Sequence, residues 1–592
     1  MSTAHVPQQQ QPTSGDAATS GGSAPPHPAT PPYASEATRL LCQGTYLDVV
    51  YREQVIEQLH VNEQRIVAPS LGFDAARVLA HALRARRLEL AWAWAVLGLW
   101  VVGVLLTDGL LTGLVVASLL LAVAPWLRGR AVRPPLFRRA FAFLARWWGR
   151  VMVLLSLIAV FVYAFGMVDA PDSSSASYDP YGMSSSSGFS FEHLFTLLFG
   201  DGSVRPWQAW IAVAVLALTG LCVGAQRDQI ARVIAGELSP RGFPDAGNDP
   251  AEHADGARFR EVSGRIRVEQ HAPLVMYHEA RPFCGAGDAH ETWVLAVELR
   301  PDETQKRQLP LSNRILLEKV RPLLEQLRLP SESAGHTVRD RLRWLEIDEC
   351  VFLPAEGITR RGDAPYHRET FEEHRARAVE EGGEKRRHFL RVRVGGWEEE
   401  LVVTVFVRLH TQGRMLMLEV APHVLRPVRE DFKEADRAAH RHLHNSPLGK
   451  AAWAASHIPR SAAHSLIILG RSGLQAWRRL TGGYAGALPD GPALSVRELA
   501  SAPDGSQFQS MDAVRYLRSI QDRIAHGVRS ALAEAGYQTG EFVQKIVNVS
   551  SVSIDQAIGS TFAIGDNATA SSTTTNHGAP APQKGADSDG TP

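Results

Sequence analysis

The chain is poor in cysteine and carries no net charge. Cys42, Cys222, Cys284 and Cys350 are scattered over 592 residues, with no Cys-x-x-Cys pair and no Cys/His spacing. Neither a disulfide framework nor a structural zinc site is supported, and reduced, packed thiols are expected. Lys plus Arg and Asp plus Glu number 62 each, so no global basic character argues for nucleic acid. Residues 1–36 (QQQQP, GGSAPPHPATPP) lack the charged start and apolar core of a cleavable signal. No GxSxG, HExxH, kinase or sensor-kinase phosphotransfer signature occurs, so no reaction and no cofactor is implied and the reading leans away from an enzyme.

What the chain has is apolar length. Leu90–Thr107, Leu110–Leu127, Val151–Val168 and Trp207–Ala225 are each read as crossing a hydrocarbon core of about 30 Å. Arg84, Arg86 and Arg87 precede the first stretch. Arg128, Arg130, Arg133, Arg138, Arg139, Arg146 and Arg150 lie between the second and third, with no acidic residue among them, and Arg227 and Arg232 follow the fourth. The 169–206 segment reverses the sign, with Asp169, Asp172, Asp179, Glu192 and Asp201 against Arg205. Positive residues stay on the cytoplasmic side. A four-span protein of the plasma membrane is expected, with both termini cytoplasmic and the Asp108–Gly109 turn and the Ser-rich 169–206 loop outside. Trp92, Trp94, Trp126, Trp147, Trp148, Trp207 and Trp210 fall where indoles favour the interface. No Asp, Glu, Lys or Arg stands at mid-depth in the four stretches, which disfavours small-molecule transport.

The flanks divide the rest. Residues 1–36 and 566–592 have the Pro, Gly, Ser, Gln and Thr content of disordered tails; the sequons at Asn548 and Asn567 are accidental on the cytoplasmic side. Residues 37–88 form a helical segment. Leu40, Leu47, Tyr51, Val55 and Leu59 repeat at helical spacing, and Asp74 caps a helix whose stripe of Val78, Leu79 and Leu83 runs towards the first span.

Three stretches carry a resemblance. TRLLCQGTYLDVVYREQVIEQL, RIVAPSLGFDAARVLAHALRARR and VMYHEARPFCGAGDAHETWVLAVEL resemble a family of uncharacterised actinobacterial integral membrane proteins over roughly residues 37–430. The shared signature is an aromatic-bearing strand at Tyr277, a Pro-Phe-x-Gly-x-Gly turn at Pro282–Gly287, and a strand bearing Trp293. The resemblance implies a membrane location and no activity. Cys284 stands where it implies a small aliphatic residue.

From residue 227 to 446 an α+β cytoplasmic domain is expected. Arg265–Val268, Leu274–Tyr277 and Trp293–Leu299 read as strands, and Ser312 caps a helix to Leu327 with Pro322 kinking it. His367–Arg387 is a charged helix or connector. Leu390–Val394, Leu401–Leu409 and Met415–Val420 alternate as an antiparallel β-meander. Strands followed by helices without βαβ units argue for α+β. Residues 447–509 read as a linker whose 465–480 stretch is either an interfacial or a core helix. Within 510–565, Val514, Leu517, Ile520, Ile524, Val528 and Leu532 form a helical stripe, and Ile546–Ile564 reads as a short hairpin or edge strand.

Candidate chemistry is sparse. Cys284, Gly285, Gly287 and Asp288 form a turn whose amides could hold an anion, although the GxGxxG and P-loop patterns are incomplete. A tight turn with positive φ is the plainer reading. Asp436, His440 and His444 align on one helix face as metal candidates, with a solvated helix surface favoured over them. The expected function is a membrane-anchored interaction or scaffold protein, with the bilayer as one partner and a protein bound through Ser510–Ile564 as another. The alternative is a membrane-tethered enzyme with its site at 282–291, around Cys284, Asp288, His290 and Glu291.

Overall fold

The computed structural model of the chain describes residues 30–129, 135–165, 205–253, 256–303, 308–329, 342, 344–397, 400–482 and 487–546. Residues 1–29 of the tail expected over 1–36, the tail expected over 566–592, nearly all of the Ser-rich 169–206 loop, and the 547–564 part of the alternating segment lie outside the described residues. Residues 30–36 are described, with a helical turn at Pro32–Ala34 and a buried Ser35, so the expected tail is too long at that end.

Caps set the first helices. The Ser35 hydroxyl accepts the Thr38 amide at 3.2 Å and starts α1 (Glu36–Leu47). Asp48 accepts the amides of Val50 and Tyr51 and starts α2 (Val49–Ile56). The helix expected over Thr38–Leu59 is therefore broken at Asp48. Asp74 accepts the Ala76 amide and starts α3 (Ala75–Leu106), which carries its buried Val78 and Leu79 without interruption into the first apolar stretch. After it come α4 (Thr112–Arg128), α5 (Leu136–Ala164) and α6 (Pro206–Ala235). Three of the four, α3, α5 and α6, are long and apolar enough to cross a membrane. The fourth, α4, is apolar but only 17 residues long.

The ends of these helices sort to two sides. Asp108 (φ 48°) and Gly109 (φ 85°) turn the chain between α3 and α4, and Gln208 Nε2 donates to Asp108 Oδ2 at 3.2 Å. At the opposite end Trp92 Nε1 donates to Gln229 Oε1 at 2.8 Å and Arg84 Nη2 to Glu237 Oε1 at 2.9 Å. Thus α3 and α6 run antiparallel. At that same end lies a buried charge network. Arg77 Nε donates to Asp249 Oδ2 at 2.9 Å, His81 Nε2 lies 3.0 Å from the same oxygen, and Tyr46 Oη lies 3.2 Å from His81 Nδ1.

Next is α7 (Ala257–His271), which contains the Arg265–Val268 segment expected as a strand. Phe259, Ser263, Ile266 and Gln270 are buried three to four residues apart. That is a helical period, and a four-residue window is too short to reveal it.

The α+β part is built on one sheet. Its strands are β1 (Leu274–Tyr277), β2 (Asp288–Ala289), β3 (Trp293–Glu298), β4 (Leu345–Pro354), β5 (Arg387–Gly396), β6 (Leu401–Gln412) and β7 (Met415–Leu425). The order is β1-β4-β5-β6-β7, with β2 and β3 both on the far side of β7. Strand β1 runs parallel to β4, while the other pairs are antiparallel. The sheet is therefore mixed, because the crossover from β1 to β4 returns in the same direction; β1 is among the strands expected from the sequence, whereas β4 (Leu345–Pro354) is not. Leu401–His410 are buried throughout, as a strand covered on both faces must be.

One face is covered by α8 (Asn313–Glu325) and by α12 (Gln507–Glu534), with α9 (Arg368–Glu381) beside them. Ser312 caps α8 through the Ile315 amide. Leu316, Val320 and Leu324 meet Leu517, Ile520, Ile524 and Val528 over the valines of β5 and β6. The apolar stripe of α12 is thus a core face. Opposite lies an aromatic cluster of Phe283, Phe352, Phe389 and Phe406.

The sharpest departure follows α10 (Ala435–Leu443). Residues 447–464, expected as a linker, and the 465–480 stretch, expected as an interfacial or core helix, form one helix of 35 residues, α11 (Pro447–Thr481). It packs along α3, α4 and α6. Trp100 Nε1 donates to Ser461 Oγ at 2.9 Å, and the Ala463 amide donates to Ser118 Oγ at 3.0 Å. Ala454, Ala462 and Ala463 are buried. A Cβ on Gly220 would stand 3.2 Å from Ile458 Cδ1, so small residues allow the close approach.

Candidate functional site

The glycine turn is a junction of three chain segments. Gly285 (φ 100°) and Gly287 (φ 96°) both require the left-handed region. A Cβ on the first would lie 2.6 Å from Pro69 O and one on the second 2.4 Å from Val424 O. Phe283 enters the aromatic cluster, with ring centroids 4.8 Å from Phe406 and 4.7 Å from His423.

The turn's amides already hold an anion, and it belongs to the chain. Glu498 Oε1, from the short helical turn Val496–Leu499, accepts the amides of Gly285 at 2.7 Å and Gly287 at 3.0 Å. Its Oε2 is buried without a hydrogen bond among the described residues, and Arg281 Nη2 stands 3.7 Å away. Burial raises the Glu498 carboxyl above its usual range, against the pull of the two amides and Arg281. Sequence reasoning missed Glu498 because nothing in the local sequence announces a partner more than 200 residues away.

The neighbouring candidates do not gather. Cys284 is buried, and burial followed by the Glu498 charge pushes its thiol up to about 12, the opposite of a reactive thiolate. Asp288 is exposed and pairs with Arg426 at 3.0 Å. The His290 amide is used by Pro422 O at 2.9 Å, and Glu291 sits at φ 27°. On α10 the Asp436 carboxylate turns to Arg39 and Gln43, each at 2.7 Å. His440 and His444 stack on each other with centroids 4.0 Å apart. Among the described residues no group of three or more His, Cys, Asp or Glu side chains is placed to hold a metal.

A second convergence went unforeseen. Glu349 of β4 and His388 of β5 meet with Oε2 and Nε2 3.0 Å apart, and Arg375 Nη2 and Arg321 Nη1 approach Oε1 at 3.2 and 3.4 Å. The hydrogen bond from His388, with those of Arg375, outweighs burial and holds the Glu349 carboxyl at about 2. Such a group is a counter-ion and not a proton acceptor near neutrality. It borders a cavity of about 390 Å³ between α8 and α9, walled by Arg314, Leu317, Arg375 and Val379. Its members come from four separate elements, which left no motif to read.

Residues 292–568 match the model of a family described as the AbeC-like domain. This fits the uncharacterised family suggested by the sequence; the match bears neither on an actinobacterial origin nor on the membrane segments. It begins after the glycine turn and the apolar helices, and it includes β3 to β7 and α8 to α12, and so takes in α11. No curated protein and no solved structure matches the chain.

Proposed function

We propose that the chain is an integral membrane protein that holds an α+β domain against the cytoplasmic face of the plasma membrane as a docking platform for a protein partner. One observation carries this reading. Helix α11, which lies inside the segment matching the AbeC-like domain, packs along three apolar helices instead of linking two independent modules. A platform fixed in this way presents its surfaces at a set height and angle. In this reading α4 completes a fourth span, since 17 residues at about 1.5 Å each reach about 25 Å and buried Leu110 and Leu111 precede it. The partner surface includes the outer side of the start of α12, beside the β5–β6 turn. There Phe508 and Met511 are exposed, and the exposed Trp397 donates Nε1–H to Asp512 Oδ2 at 2.9 Å.

Two measurements test it. A photo-reactive residue at Phe508 or Met511 should capture the same protein repeatedly in native membranes; a solitary monomer by light scattering with no captured partner would sink the platform reading. In intact cells, an impermeant thiol reagent should label Ser184→Cys and spare Arg138→Cys. The reverse pattern would invert the orientation.

A further inference from the structure

Four basic side chains converge on one cavity where α4, α5 and α11 meet. Arg146 and Arg150 stand one helical turn apart on α5, Arg460 and His464 one turn apart on α11, and Leu121, Ala122, Pro125 and Ile467 supply apolar walls to a cavity of about 430 Å³. Gly149 makes the convergence possible. A Cβ there would lie 2.9 Å from Leu121 Cγ, so the glycine lets α5 close on α4 and brings Arg146 and Arg150 to the groove.

The cavity has no internal counter-charge. No carboxylate lines it, and residues 136–164 and 447–481 contain no Asp or Glu. Among the described residues none of the three guanidiniums has an ion pair. Arg146 is half-buried and Arg150 and Arg460 are exposed, so all three forks are open to an anion, and an arginine fork fits phosphate oxygens in pairs. The setting points to the source of that phosphate. The cavity lies along the last two turns of α4, beside exposed Trp126, Phe143 and Trp147, the residue types that sit at headgroup depth. Its apolar walls suit acyl chains, and basic pockets between membrane helices take acidic headgroups.

We propose that this cavity binds the phosphate of an anionic phospholipid, clamped by Arg146, Arg150 and Arg460 with its chains along α4 and α11. The proposal rests on the membrane reading, which alkaline carbonate extraction tests separately from occupancy of the cavity. The test uses the full chain in detergent micelles, with phosphatidylglycerol and phosphatidylcholine of matched acyl chains added and bound lipid counted by native mass spectrometry. Phosphatidylglycerol should remain bound where phosphatidylcholine is stripped. The double variant Arg150→Gln with Arg460→Gln should weaken it by about tenfold or more, and Arg150→Lys with Arg460→Lys should retain most of the binding. Millimolar inorganic phosphate should not displace the lipid. Equal retention of both lipids overturns the proposal, as does unchanged binding in a Gln variant of normal helicity. Displacement by inorganic phosphate overturns it too, making the cavity a site for a free anion. If the Gln variant fails to fold, the headgroup comparison and the Lys variant decide.

Discussion

Replacing Glu498 separates the roles of its shape and its charge. Its side chain is 16% exposed and one oxygen takes two amides. Glu498→Ala leaves the N–H groups of buried Gly285 and half-buried Gly287 without their acceptor. At about 1–3 kcal/mol for each buried donor left unpaired, the loss should be roughly 2–5 kcal/mol. For a domain of this size that lowers the thermal midpoint by about 5–15 °C. Glu498→Gln keeps the accepting oxygen and removes the charge. Because burial raises the Glu498 carboxyl in the folded state, its contribution is fully present below the usual carboxylate pKa of about 4 and is lost as pH rises through the folded value. At neutral pH the Gln variant should therefore equal or exceed the parent, and the parent should close the gap on acidification. The assay is thermal unfolding of the detergent-purified full chain from about pH 4 to 7.5. If Gln is as damaging as Ala, the Arg281 ion pair and not the amide cradle holds the junction, and the reasoning fails.

Other perturbations have equally definite signs. Asp249→Asn leaves Arg77 and His81 buried without their anion and should cost about 3–5 kcal/mol. Although burial opposes it, the His81 hydrogen bond and charge, the Ala251 amide and Arg77 hold the Asp249 carboxyl far below its usual range. Its stabilisation is thus present above about pH 4 and fades as pH falls further, so the acid-unfolding profile of the variant should be flatter there than the parent's. Gly287→Ala meets Val424 O at 2.4 Å and should lower the thermal midpoint clearly, whereas Gly264→Ala, with nothing within 4 Å on the exposed side of α7, should raise stability by up to about 1 kcal/mol. Ser461→Ala orphans the buried Trp100 indole N–H; a loss of about 1–3 kcal/mol in the melt is expected, and an unchanged melt would argue against tight seating of α11.

Legibility followed the range of the forces involved. Caps at Ser312 and Asp74 were readable because the side chain and the amide it accepts are two or three residues apart. Period-two alternation marked β5 to β7 because cross-strand neighbours sit in the same hairpins. Gly285 and Gly287 announced a turn because positive φ is a local demand. The junctions were opaque. Glu498 reaches back 213 residues to Gly285 and Glu349 meets His388 across 39, and one sequence holds no mark of who closes such distances. The stripe of α12 was seen correctly as apolar but its partner was not, since an amphipathic face looks the same whether it meets a sheet or another protein.

Helix α11 shows the same limit in its most consequential form. Average hydropathy asks whether a helix can face lipid on all sides, and Arg460, His464 and Arg471 give α11 a poor score by that measure. Its actual requirement is narrower: one small-residue face must fit protein, while the other faces mix cations with exposed Leu448, Leu466, Ile467, Leu474 and Trp477. Ala454, Ala462 and Ala463 supply that face, and Ser461 meets the Trp100 indole that would otherwise be an unpaired donor in an apolar bundle. The match to the AbeC-like domain covers α11 but not the helices it packs against. In this chain, then, a helix of the matched segment reaches the apolar bundle through small-residue contacts and through bonds that include Ser461 with Trp100, the Ala463 amide with Ser118, Arg86 with Ser472 and Lys450 with Asp228.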